Sequence, residues 1–319
     1  MTAPDGGADP FAPLTSQMLD VGDGHSLYVE TVGQVDGIPA VYLHGGPGSG
    51  CQPSHRRLFD PGRFRAVLFD QRGAGRSLPA RSREYNTTQH LIADMERVRV
   101  ALGIERWLVV GGSWGATLGL AYAQTHPERV SGLVLRATFL GTRAELDWAF
   151  GTGLAAFHPG LYEDFLSLLP QDEREQPLDA YFRRILHADP AIHGPAARAW
   201  HDVERVLSEA RPAKTRLDLD EIHNGTRLPA TAFMEAYYFA QDSFLTSAQL
   251  LAGAGRLKDI PGVIVQGQFD LLCPPAMSHG LDRAWGNAEI VLLEGAGHAM
   301  SEPGVTEAVM AGVERLAKV

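Results

Sequence analysis

Short apolar runs recur through the first 140 residues and again near the end of the chain, separated by stretches whose apolar positions repeat with helical spacing. The runs at 27–32, 41–44, 66–70, 107–111, 133–135, 263–267 and 290–294 predict strands. The periodic stretches at 88–102, 116–126, 275–285 and 302 to about 317 predict helices. Alternation of this kind predicts an α/β architecture with a mostly parallel central sheet flanked by helices. From about 140 to 250 the strand-like runs stop, and aromatic residues spread through sequence of helical character, including Trp148, Trp200, Tyr237 and Phe239. The expected organisation is therefore an N-terminal arm at 1–17, a core built from 18–139 and 251–319, and an inserted helical cap at 140–250. Because the cap interrupts the core between its two halves, it is expected to fold over the sheet edge and cover a site there.

Composition narrows the functional classes. The chain has 319 residues and is 45% hydrophobic, enough for a substantial core. Lys and Arg total 28 against 38 Asp and Glu, and no basic run is interleaved with aromatics, which disfavours nucleic-acid binding. No apolar run reaches membrane-spanning length, and the opening residues lack the charged and apolar regions of a signal peptide. With Cys51 and Cys273 as the only cysteines, the expectation is a cytoplasmic protein without membrane association. No sequence feature specifies an oligomeric state. No metal-ligand spacing or phosphate-binding glycine fingerprint occurs, so no cofactor is expected.

The candidate chemistry sits at strand ends. Gly111-Gly112-Ser113-Trp114-Gly115 follows one apolar run and opens a helical stretch, the context in which a G-x-S-x-G turn exposes a serine nucleophile. Asp270 follows the run at 263–267, and His298 follows the run at 290–294. In a parallel sheet, the C-terminal ends of strands share one edge, so Ser113, Asp270 and His298 can converge there. The chain order serine, acid, histidine is that of α/β-hydrolases. His298 would take and return the Ser113 proton while Asp270 fixes the imidazole tautomer. After the run at 41–44, His44-Gly45-Gly46-Pro47-Gly48 offers backbone N–H groups for an oxyanion hole, assigned to Gly46 together with Trp114, with Gly45 as the neighbouring candidate. His44 reads as structural, and Asp70, Arg72 and Arg76 read as bracing for the adjoining loop.

Three blocks together, 44–48, 70–77 (Asp-Gln-Arg-Gly-Ala-Gly-Arg-Ser) and 111–118 (Gly-Gly-Ser-Trp-Gly-Ala-Thr-Leu), closely resemble those of proline iminopeptidases. The likeness extends to Leu135-Arg136 followed by Phe139, and to Ala296-Gly297-His298 followed by Glu302-Pro303. The resemblance implies a capped α/β-hydrolase that removes N-terminal proline from peptides, with partners limited to peptides bearing a free N-terminal proline. It also implies that Glu204 and Glu235 hold the substrate's α-amino group. Two carboxylates in a desolvated pocket would attract a cationic prolyl nitrogen and reject blocked termini. Phe139 and Tyr237, with Trp148 and Phe239, are expected to wall the proline ring.

The chain departs from the family pattern at Gln268, where an arginine is usual, at Val203, where a tryptophan is usual, and at Ala236 within the segment after Glu235. Two other readings stand beside the peptidase. A carboxylesterase, amidase or lactonase would share the triad without needing a substrate amine, and a non-catalytic binding protein would leave Ser113 unreactive toward serine probes. Cys273, three residues after Asp270, reads as a neighbour of the site rather than a nucleophile.

Overall fold

In a computed structural model, which describes residues 9–246 and 248–318, eight strands form one sheet. In chain order they are β1 (Thr15–Gly22), β2 (His25–Gly33), β3 (Ile38–Leu43), β4 (Phe64–Phe69), β5 (Trp107–Ser113), β6 (Val130–Thr138), β7 (Gly262–Gly267) and β8 (Ala288–Leu293). Their spatial order is β1-β2-β4-β3-β5-β6-β7-β8. The β1/β2 and β2/β4 pairs are antiparallel and every later pair is parallel. The expected mostly parallel sheet is present.

Burial on both faces explains the sequence of the central strands. Every residue of β7 is buried, as is all of β5 except Ser113, the condition under which strands read as continuous apolar runs. Alternate residues feed separate cores. Val41, Val67 and Val109 pack on one face, and Tyr42, Leu68 and Val110 on the other with Val309 and Val313 of the helix Val305–Leu316. Helix α1 (Thr88–Ala101) begins at Thr87, whose side chain accepts from the His90 N–H. Helix α2 (Trp114–Thr125) is buried along nearly its whole length, so its sequence is apolar on all sides.

The arm expected to reach residue 17 ends sooner. Thr15–Gln17 already pair with Val29–Thr31 in the β1/β2 hairpin, while residues 1–8 lie outside the described set. Only Val21 of β1 is buried, so the strand lacks the apolar run that marks the others.

Among the described residues, no strand lies between Thr138 and Gly262. The helices of this insertion include Pro177–Ile185, Pro190–Ser208 and Ala230–Phe239, which pack on one another. Trp200 is their hub: it stacks on Phe150 at 3.8 Å between ring centroids and touches the rings of Phe165, Tyr181 and Phe182. Thr88 and Gln89 of α1 donate to the carbonyls of Ser243 and Phe244, which ties the far end of the insertion to the core.

Candidate active site

The turn from β5 into α2 holds Ser113 at φ 56° and ψ −122°. A non-glycine residue rarely tolerates this backbone, and it persists only where the surroundings over-determine it. Here glycines provide the room. A side chain at Gly115 would collide with the Leu43 carbonyl, and one at Gly111 with the Gly115 carbonyl. The sheet and the helix thus approach too closely for anything larger, and the serine projects from the sheet edge. Trp114 opens α2, so its backbone N–H belongs to a first turn with no helical partner, where the helix dipole favours negative charge.

Asp270 lies in the loop after β7. Its Oδ1 accepts from the backbone N–H groups of Leu272 at 3.0 Å and Cys273 at 2.7 Å. Its Oδ2 lies 2.9 Å from His298 Nδ1. An ionised carboxylate only accepts, so Nδ1 carries the proton and Nε2 is left free to accept one. The His298 loop is pinned from the insertion: the Ser208 carbonyl receives the N–H groups of both His298 and Ala299, each at 2.9 Å. Ser113 and His298 border the same cavity. The donor atoms of Asp270, Cys273 and His298 fall within 4.8 Å of one another. Burial holds the Cys273 thiol well above its usual pKa, and Asp270 is occupied by N–H donors, so this cluster suits proton handling better than metal ligation.

The loop after β3 closes over the serine. A Cβ at Gly45 would sit 3.3 Å from the Gly112 carbonyl oxygen and 3.7 Å from Ser113 Cβ, and Gly46 adopts φ +105°. Both glycines line the cavity. Gln71 locks this loop to the Ser113 turn. Its backbone N–H donates to His44 Nε2 at 3.0 Å, its side-chain amide donates to the His44 carbonyl, and its Oε1 accepts from the Trp114 indole at 2.9 Å. Because His44 Nε2 accepts, Nδ1 is the protonated nitrogen and donates to the Gly45 carbonyl. Burial lowers the His44 pKa, in keeping with a neutral structural ring. The brace beneath is ionic: Asp70 accepts from the Arg76 guanidinium at 2.7 Å and the Cys51 N–H at 2.6 Å, while Arg72 pairs with Asp94 at 2.6 Å.

The cavity has a volume of about 420 Å³. The helices Pro190–Ser208 and Ala230–Phe239 bring Glu204 and Glu235 into it, with their carboxyl groups in hydrogen-bond contact. Glu235 is 2% exposed and accepts from the Trp200 indole N–H at 2.8 Å. Burial, and then the charge of Glu235, push Glu204 well above the usual carboxylate range. Burial likewise pushes Glu235 up to about 7, restrained by hydrogen bonds from Glu204 and Trp200. The pair therefore holds a proton in the neutral range and offers a cation-seeking wall. Phe139 and Phe239 line the cavity as well, edge to face at 5.5 Å between centroids.

Two expected wall residues lie elsewhere. Tyr237 points away from the cavity, packs on Phe244, and donates its hydroxyl to the Arg83 carbonyl at 2.9 Å. Trp148 donates its indole N–H to the Leu271 carbonyl at 3.1 Å rather than facing the cavity. The Tyr237 correction follows from helix phase: Thr231, Glu235 and Phe239 recur every four residues on one face, and Tyr237 falls on another.

Residues 39–305 match the family model of the alpha/beta hydrolase fold. A proline iminopeptidase of Arabidopsis thaliana is 43% identical over 309 residues, covering 96% of this chain and 81% of that one. One from Xylella fastidiosa (strain Temecula1) is 43% identical over 306 residues, covering 95% of this chain and 96% of the other. The chain belongs to the proline iminopeptidase family. Among solved structures, a proline iminopeptidase of Mycobacterium smegmatis superposes with a TM-score of 0.60 at 21% identity, covering 95% of this chain and 98% of that one. An esterase of Exiguobacterium antarcticum superposes at 0.63 with 19% identity, covering 95% and 98%. At these identities the two superpositions show a common fold.

The three positions where this proline iminopeptidase family member departs from the usual pattern do not face the cavity. Gln268 is exposed, while Val203 and Ala236 are buried away from it. Sequence reasoning passed over four other residues. Trp200 donates to Glu235, and Gln71 joins the loop after β3 to Trp114. Arg136 borders the cavity and donates to the His298 carbonyl. Arg205 lines the cavity beside Glu204. Helix spacing around Glu204 was the available signal for Arg205, since positions 201, 204, 205 and 208 share one face.

Proposed function

We propose that this protein is a serine aminopeptidase that releases N-terminal proline from peptides. The observation that carries the reading is the carboxyl pair of half-buried Glu204 and buried Glu235 in the cavity bordered by Ser113 and His298. A generic esterase has no need to set two carboxyl groups against each other in a partly desolvated pocket, which is unfavourable without a cation. A substrate cation between them offsets that cost, and a free prolyl nitrogen is such a cation at neutral pH.

In the proposed reaction the proline ring lies beside Phe139 and Phe239, with its nitrogen toward the glutamates. Ser113 attacks the prolyl carbonyl carbon as His298 takes the hydroxyl proton, and the oxyanion accepts from the Trp114 and Gly46 N–H groups. His298 then protonates the departing amine. Water attacks the acyl-enzyme with His298 again as base, freeing proline and restoring the serine. The insertion at 140–250 acts as the cap that excludes solvent. The enzyme is assigned to the cytoplasm because Cys51 and Cys273 are buried free thiols, consistent with a reducing compartment. Among the described residues, no helix is long and apolar enough to cross a membrane.

The test is kcat/KM on aminoacyl anilides of proline, alanine, leucine and N-acetyl-proline. The expected result is preference for free proline with loss on acetylation. Comparable turnover of the acetylated form, or turnover of simple esters alone, would replace the reading with an esterase or amidase. Failure of Ser113 to react with a serine probe would replace it with a binding protein.

A further inference from the structure

The helix Pro190–Ser208 presents more than a glutamate to the cavity. His201, Glu204, Arg205 and Ser208 all line it, and at 100° per residue they form one stripe with Glu204 and Arg205 on its two margins. The acid margin is the closed one, since Glu204 meets Glu235 there, whereas the Arg205 side chain is 38% exposed and lies toward solvent. The stripe is also fixed relative to the chemistry. Ser208, one turn beyond Arg205, carries the carbonyl that receives the His298 N–H, and its hydroxyl donates back to the Arg205 carbonyl at 2.8 Å. Arg205 thus borders the same cavity as His298 on its solvent-exposed margin, where the leaving portion of a peptide would emerge.

The Arg205 guanidinium is lightly engaged. Its nearest carboxylate is Asp202, with Nε to Oδ1 at 3.6 Å, beyond direct hydrogen-bond reach, and it donates no hydrogen bond among the described residues. Exposed pairs of this kind hold their partners weakly. His201 beside it does not compete as a cation, because burial lowers its pKa.

Resting on the proline-releasing reading above, we propose that Arg205 binds the C-terminal carboxylate of short substrates, so that the preferred peptides are dipeptides beginning with proline and ending in a free carboxylate. The amine then binds the glutamates at the closed end, and the carboxylate of the next residue, roughly 6–7 Å from the amine along an extended chain, meets the guanidinium at the open end. A cavity of about 420 Å³ suits a ligand of that size. Longer peptides carry their carboxylate past Arg205 and lose this contact.

The experiment compares kcat/KM for Pro-Ala and Pro-Ala amide in the wild type, Arg205→Gln and Arg205→Lys, with prolyl anilide as the reference in each. The wild type is expected to favour the free acid by about tenfold, expressed in KM more than kcat. In Arg205→Gln the acid-to-amide ratio falls to near one, and Arg205→Lys retains part of it. An acid-to-amide ratio near one in the wild type, or an unchanged ratio in Arg205→Gln, overturns the inference while prolyl anilide turnover still supports the proline reading. No turnover of prolyl anilide by the wild type overturns both.

Discussion

Asp270 and Glu235 are both carboxyl groups 2% exposed to solvent and both border on the same chemistry, yet the protein treats them in opposite ways. Asp270 sits at a strand end where two backbone N–H groups and the His298 ring donate to it. Glu235 sits mid-helix, where the backbone has no free donors; it receives one indole N–H and faces a second acid. The core thus completes the surroundings of its carboxylate before any substrate arrives, and the insertion leaves its carboxyl pair short of positive charge. That difference matches the division of chemistry and selectivity in the proposed function. A group with its donors in place orients a neighbour, whereas an underpartnered one waits for a ligand to complete it.

Removing the proposed nucleophile breaks the comparison most severely. Ser113→Ala should lower kcat/KM on prolyl anilide by about 10⁴-fold or more, with circular dichroism and melting unchanged in character. Retention of substantial turnover would remove the core from the mechanism altogether.

The next effect belongs to the insertion. Glu235→Gln should reduce kcat/KM for free prolyl anilide by roughly 10- to 100-fold, in line with loss of a charge-assisted hydrogen bond. The diagnostic quantity is its ratio to turnover of an uncharged ester, which should fall by the same factor. Equal losses on both substrates would make Glu235 a structural residue. The same variant tests linkage. A carboxyl whose folded pKa is raised contributes stability at low pH that is lost as pH climbs from about 4.5 through about 7, so the wild-type melting temperature should drop across that window relative to Glu235→Gln.

The smallest effect separates the donor from the pair it serves. Because the Trp200 indole holds the Glu235 pKa down, Trp200→Phe should move the acidic limb of kcat/KM for prolyl anilide upward from about 7 and cost about 1–3 kcal/mol of stability. The sign is set by the proposed binding: there the pair loses its proton to hold the substrate cation, so activity should rise with pH through that limb. An unshifted limb in a pH profile would assign it to a group other than the glutamates.

What the sequence revealed tracks how directly each residue's role depends on backbone periodicity. The central strands were legible because burial on both faces demands apolar runs, and the Ser113 turn because close sheet-helix approach demands glycines. Strand β1 was illegible: its ladder bonds to β2 hold it in place while its side chains face water. Inside the insertion, aromatic content alone did not distinguish cavity from packing. Tyr237 and Phe239 differ by two residues and lie on different helix faces. Helix phase would have separated them, but Trp148 stands at a π-helical turn, Trp148–Thr152, where regular phase fails. The Trp200–Glu235 bond joins two helices far apart in sequence, and no local pattern encodes it.

The carbonyl of Ser208 bears on how freely the molecule can be recombined. It ends an insertion helix and accepts from both His298 and Ala299, and a side chain at Gly297 would lie 2.6 Å from the Ala210 nitrogen. The insertion is therefore not a detachable module. A chimera that replaces 140–250 with a helical segment from another hydrolase must deliver a helix end to this spot, or the histidine loop loses its outer support along with the old selectivity. Grafts that stop short of Ser208, leaving that junction intact, are the ones in which cavity residues can be exchanged while His298 stays seated.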